Sequence, residues 1–426
     1  MCWLAGGSAF SVLRDENLLV QITQYQCGIF ECLRSTFLRN HHFLHRSVFI
    51  EPSFGIVRHR RLVALDLVQT GDIQLLQVLM RCRIEDITQT ISEHWKLMDF
   101  AAMYGHLPVL EFLHASGLPI CTMHALDLAA QHGHLAVVKF LHFHRTEGCS
   151  RRAMESAAER GHLSVVQFLN DHRSEGCRAL AMDRAAANGH LDVVAFLHAH
   201  RSEGCTTLAM DEAAAHGHLE VVQFLHQHRT EGCTAWAVDQ AATYGHLEVV
   251  QYLLQHRNEG GMAGTIDKAA AKGHLAIVKY LHAHAIEGCT HRAMDGAAEG
   301  GHLEVVEFLH SHRREGCSMH AMNLAAKNGY FNVVRFLHDH RHEGCTAAAV
   351  DDAARNGHLE VVKFLLTFRT EGHSAQAIQA AAQAGHVEVV KYLHAKAIVG
   401  CGERDSGLAS LAVPRIRAWD ATEWRM

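Results

Sequence analysis

The chain has 426 residues, 48% of them hydrophobic and 20% charged, with a formal charge of -6 and a pI near 6.7. That is enough apolar material for a large folded body, and the acidic balance argues against a protein that grips phosphate backbones, so nucleic acid is not the expected partner. No apolar run of about 18 residues or more occurs, and the first residues lack the basic start and small-residue cleavage site of an export signal, so neither membrane insertion nor secretion is expected.

The expected location is cytoplasmic, with the nucleus also open, and there the 13 cysteines stay reduced rather than forming a disulfide framework. The 38 histidines make the net charge acid-sensitive, since their protonation would reverse its sign.

Residues 1–60 have no internal period and are expected to form a helical cap over the apolar start of the body built by residues 61–396. Within them LRDENLLVQITQYQ, Leu13 to Gln26, resembles the first helix of an F-box, although Arg14 stands where the proline should be and the spacing is off by one. That resemblance implies an alternative role as substrate adaptor of a cullin ubiquitin ligase, with the rest of the chain recruiting the substrate.

From residue 61 to 396 the chain repeats. A loose unit, LDLVQTGDIQLLQVL, surrounds Gly71; GHL or a close variant then returns every 28 residues from Gly105 to Gly385. Cysteine keeps the same beat from Cys121 to Cys401, with Gly261 and His373 on the two rungs that lack it. A fixed period of this length predicts a solenoid, here of about twelve units, because one unit is too small to bury its own apolar face and must stack on its neighbours.

In the unit CTTLAMDEAAAHGHLEVVQFLHQHRTEG, Ala209, Met210, Ala213 and Ala214 fall on one side of a first helix that starts after Thr206 and stops at Gly217. A second helix carries Leu219, Val221, Val222, Phe224 and Leu225 inward and is expected to end at Gly232, with Arg229 in its last turn. The fold class is therefore all-α, each unit a helix, a short turn and a helix.

AMDEAAAHGHLEVVQFL is similar to the ankyrin repeat, whose first helix ends in an Ala-Ala pair, whose turn reads Gly-His-Leu and whose second helix carries a Val-Val pattern. Two departures matter. The family's TPLH opening is replaced by Leu208 to Asp211, and the unit has 28 residues rather than about 33. The missing residues lie where ankyrins project a β-hairpin, so the fingers are expected to be reduced or absent. The resemblance implies protein–protein interaction on a concave first-helix face.

The stretch FLHFHRTEGCS, Phe140 to Ser150, invites a metal reading. Yet His142 and His144 are two apart on a helix, so they point about 200° apart around its axis, whereas a helical ligand pair needs i, i+4 spacing. Cys149 is instead expected to fold back on a Schellman-type helix end at Gly148. Catalysis needs one asymmetric constellation, and His218, Asp211 and Cys205 recur many times over, so no enzyme activity, cofactor or metal is expected. The Asp column that includes Asp99, Asp127 and Asp211 is expected to bond within turns or between units, and the HRxEG charges to form a solvated, ion-paired edge.

If recurring positions build the scaffold, a partner is recognised where units differ. The column two residues after the Ser/Thr position reads Arg152, Leu180, Leu208, Trp236, Gly264, Arg292, His320, Ala348 and Gln376. Leu180, Leu208 and Trp236 are consecutive and would form an apolar stripe about 20 Å long at ordinary helix-packing distance. Tyr244 precedes a GHL turn, and Arg184 and Lys268 follow the AMD and TID motifs; aromatic and Arg side chains are enriched at binding hot spots. These six residues are the candidate surface for an unidentified protein partner, and packing of the stripe between units is the competing reading.

Residues 397–426 show no cap pattern and are expected to be a loosely ordered tail, leaving a solenoid end that could self-associate.

Overall fold

The computed structural model describes residues 64–81, 97–117, 121–284, 288–374 and 376–402. The expected N-terminal cap and the F-box-like run lie outside the described residues. The chain divides into two compact units, Met1–Gly261 and Met262–Met426. Each is a stack of helix–turn–helix repeats, and among the described residues there is no strand, so the β-hairpin fingers are absent there. The last helix runs Val387–Gly402, and the rest of the expected tail lies outside the described residues.

One repeat explains the others. Thr206 caps its first helix, Thr207–Ala215, by accepting from the Leu208 amide at 3.2 Å. The helix ends in a Schellman motif: the Gly217 amide donates to the Ala214 carbonyl and the His218 amide to Ala213, with Gly217 at φ 78°. Only glycine fits here twice over, because a β-carbon would be strained by that φ and would also land on the imidazole of His246 from the following repeat.

The second helix, Leu219–His228, stops four residues before the expected Gly232. Arg229 turns extended, at φ -124° and ψ 150°, and its amide makes the last helical bond to the Leu225 carbonyl. The same geometry at Arg145 corrects the expectation for Gly148, which lies in the loop after the helix rather than in a Schellman end. In this fold the Schellman glycine is the one before His-Leu.

Ala209, Met210, Ala213, Ala214, Val221, Val222 and Leu225 are all at most 1% exposed, while Leu219 and Phe224 are half-buried. The small Ala-Ala faces let neighbouring first helices approach closely and make most of the inter-repeat contact. The second helices touch their neighbours much more sparingly.

Polar bonds set the register between repeats. Buried Asp211 accepts from the Thr234 backbone amide at 2.8 Å and from its hydroxyl at 2.9 Å, so the residue that caps one first helix is held by the helix before it. The same pair of bonds joins Asp127 to Ser150 and Asp295 to Ser318. One rung differs in both members: Glu155 replaces the aspartate and Arg178 the hydroxyl residue, making a two-pronged ion pair at 2.8 and 2.9 Å. The expectation of inter-unit bonding by the Asp column is borne out.

Candidate functional site

The residues that could suggest chemistry are taken up by the scaffold. Arg229 and Glu231 pair through Nη2 and Oε1 and again through Nε and Oε2 at 3.2 Å. This pair is half-buried, not the solvated edge expected, and it closes the repeat on its own start: the Cys205 amide lies 3.4 Å from the Glu231 carboxylate. The Arg229 hydrogen bond holds the Glu231 carboxyl down at about 2.

Burial, reinforced by Glu175, pushes the Cys149 thiol up to about 12, and burial with Glu231 pushes Cys205 up to about 11. Such thiols are protonated at neutral pH and are poor nucleophiles and metal ligands. The cysteines of the repeats from Cys121 to Cys345 are free, and among the described residues no group of three or more His, Cys, Asp or Glu is placed to hold a metal ion.

The histidines divide by place in the repeat. In the GHL turn, His134 contacts the Met103 carbonyl of the preceding repeat through Nε2 at 3.1 Å, and burial lowers its pKa. At the end of the second helix, His144 donates from Nδ1 to the Phe140 carbonyl at 3.0 Å and stacks on that ring at 4.4 Å. Two residues earlier, His142 stands edge-on to Phe168 of the next repeat, 5.4 Å between centroids. His142 and His144 thus have different partners, as their spacing requires.

What remains exposed is the variable set. Leu180, Leu208 and Trp236 occupy the same place on three successive first helices, Leu180–Ala187, Thr207–Ala215 and Ala235–Tyr244, which pack side by side in the first unit. Leu208 is 50% exposed, and Leu180 and Trp236 are half-buried. The stripe is therefore only partly open to solvent, most so at Leu208. Tyr244, at the end of the third helix, is 60% exposed.

Arg184 is exposed but committed to Glu159 of the preceding repeat at 2.6 Å, a partner 25 residues away that sequence reading missed. Lys268 is exposed and belongs to the second unit, Met262–Met426. Sequence reading also missed Phe143, 66% exposed on a second helix; the signal was an aromatic where the next repeats carry Asp171 and Ala199.

The model of ankyrin repeats in three copies matches residues 126–207, 182–263, 240–323 and 294–372, and that of ankyrin repeats in many copies matches 98–142. Together they span well over half of the chain. The chain belongs to the ankyrin-repeat family. Ankyrin repeats are in general modules of protein–protein interaction and typically non-catalytic. No curated protein matches the chain.

Among solved structures, the crystal structure of the pentatricopeptide repeat protein PPR10 from maize matches at a TM-score of 0.33 and 12% identity, over 91% of this chain and 65% of that one. The ankyrin chain thus spans less than two thirds of that protein, and a likeness at this level carries no argument. Among the described residues, no helix is long and apolar enough to cross a membrane.

Proposed function

We propose that this ankyrin array is a protein-binding scaffold whose first unit holds its partner on the exposed side of the first helices, at Leu180, Leu208, Trp236 and Tyr244, with Arg184 at the margin. The observation that carries the reading is the alignment of three apolar side chains on adjacent, closely packed helices whose buried sides are otherwise fixed by alanines. A rigid platform loses little conformational entropy on binding, and aromatic anchors on it concentrate affinity. Lys268 stands as a separate contact on the second unit. A reducing compartment, cytosol or nucleus, suits the columns of free thiols.

The test is proximity capture and affinity recovery with the full chain and with a Trp236→Ala, Tyr244→Ala variant, bound proteins being identified by mass spectrometry. Loss of the wild-type partners from the variant, with a melting temperature within about 2 °C of wild type, supports the surface. Retention of those partners removes it, and a melt lowered by several degrees assigns the stripe to packing. A lesser surface is the end of the second unit, where Val387 is 59% exposed and would suit self-association. A mass that stays monomeric over a hundredfold range of concentration would rule that out.

A further inference from the structure

Independently of any partner, the second-helix column carries a device that the binding reading does not use. We infer that this column is an acid-sensitive seam, closed by stacked histidine rungs between repeats and opened when the leading rings His142, His226 and His310 take up protons.

The geometry recurs in both units. His142 meets His172 of the next repeat with ring centroids 5.6 Å apart, and the same contact joins His198 to His228, His226 to His256, His282 to His312 and His310 to His340 at 5.6–5.8 Å. The leading ring of each pair also stands edge-on to the next repeat's aromatic, Phe168, Phe224, Tyr252, Phe308 or Phe336. The trailing ring, where its stacking is resolved as parallel, lies on that same aromatic at about 4.3 Å. Three rings from two repeats therefore form each rung.

The two histidines of a rung are chemically distinct. In His172, Nδ1 faces the Phe168 carbonyl at 3.0 Å; a carbonyl only accepts, so Nδ1 carries the proton and any second proton goes to Nε2. In the leading histidines, His142, His198, His226, His282 and His310, Nδ1 is buried and has no hydrogen-bond partner. A neutral ring tolerates this by leaving a bare lone pair there; an imidazolium would have a buried donor with nothing to receive it.

The charged surroundings act in the same direction. His142 is faced by Arg173 and His172, with Glu175 opposing; His226 by Arg257 and His256, with Glu259 opposing; His310 by Arg341 and His340, with Glu343 opposing. Each of those glutamates is already paired to the neighbouring arginine, so the net effect on an added proton is repulsive. On its own helix, Lys139 lies over the Phe168 ring and adds positive charge to the first of these rungs.

Burial, then the arginine, holds His142, His226 and His310 below the ordinary imidazole range. An exposed histidine titrates near about 6.5. Between that value and the lower one of the closed rung, the open state binds protons that the closed state does not, so stability is complete above the window and falls as the pH drops through it. Second helices make little other contact across repeats, whereas the first helices remain packed through their alanine faces. The seam is therefore the side that opens.

The array itself supplies the control residue. Leu254 and Leu366 occupy the leading place in their own repeats, so leucine is compatible with the position. Thermal melts of the full chain and of a His142→Leu, His226→Leu, His310→Leu variant would be recorded from pH 7.5 to pH 5. The expected result is a wild-type melting temperature that drops across this range and a variant that loses less than half as much. Parallel losses in the two proteins would overturn the inference.

If the variant does not fold at pH 7.5, hydrogen exchange on the wild-type chain decides instead, after correction for intrinsic rates. Selective loss of protection at pH 5 in the second helices Leu163–His172, Leu247–His256 and Phe331–His340, with the first helices retained, supports the seam. Uniform loss, or loss in the first helices, rejects it.

Discussion

The repeat at 205–232 and the repeat at 261–288 share a period, the aspartate that holds the next repeat and the histidine rung, but differ in how the repeat opens and closes. The first opens with Cys205 and Thr206 and ends in the Arg229–Glu231 pair; the second opens with Gly261 and Met262 and has Ala285 in place of the arginine. Its first helix, Thr265–Ala271, is two residues shorter than Thr207–Ala215 and starts from Gly264 at φ 88° without a side-chain cap. Yet Ile266, Ala269, Ala270, Ile277, Val278 and Leu281 are all at most 1% exposed, as deeply buried as their counterparts at 205–232. The apolar columns thus suffice to hold a repeat in place, while caps and ion pairs fix where its helices begin and end. The division of the chain into two compact units falls at the start of the repeat whose first helix has no side-chain cap.

The comparison predicts equal damage where the repeats agree. Leu225→Ala and Leu281→Ala each delete a side chain at most 1% exposed, and each is expected to cost about 2–5 kcal/mol, read as a lowered urea midpoint. A cost at Leu281 far below that at Leu225 would break the claim that the apolar columns are equivalent.

A smaller and unequal pair of effects is expected where they differ. Thr206→Ala removes the helix cap and the 2.9 Å hydroxyl bond to Asp183, for a loss of about 1–2 kcal/mol, whereas Met262→Ala, at the same place in a repeat whose first helix starts from Gly264, removes no cap and should change stability by less than about 0.5 kcal/mol. Differential scanning calorimetry of both variants against wild type gives the two magnitudes.

The smallest effect separates the repeats by acid. Glu231, held at about 2 in the folded chain against an ordinary value near 4.5, contributes stability that is present above pH 4.5 and lost as the pH falls toward 2. Glu231→Gln is therefore expected to lower the melting temperature at pH 6 but to converge on wild type near pH 2.5. Histidine protonation sets in at about pH 6.5 and that of Glu231 only below pH 4.5, so the onsets of the two pH effects are separable.

The columns that recur were legible because each position votes many times: Ala213 and Ala214, Val221 and Val222, the Thr206 cap and the Gly217 stop all stand where the period puts them. The helix end at His228 was not legible, since the cause is not local. Arg229 turns out of the helix and, with Glu231, braces Cys205 at the start of the same repeat, and no propensity within the segment marks a partner more than 20 residues away. The same distance hid the Arg184–Glu159 pair and the meeting of His142 with His172. Variation between repeats pointed to Leu208 and Tyr244, both well exposed, but could not tell that Leu180 and Trp236 are half-buried.

The Glu155–Arg178 rung has a consequence for how such a chain can be lengthened or shortened. Most repeats are interchangeable at their joints, because an aspartate on one side meets a serine or threonine on the other: excising 205–232 would bring Asp183 to Thr234 and leave a matched joint. Excising 177–204 would instead set Glu155 against Thr206, and excising 149–176 would set Asp127 against Arg178. Duplication and loss of whole repeats by unequal recombination are therefore free along much of the gene, but the two repeats that share this ion pair are linked and are inherited best as a block.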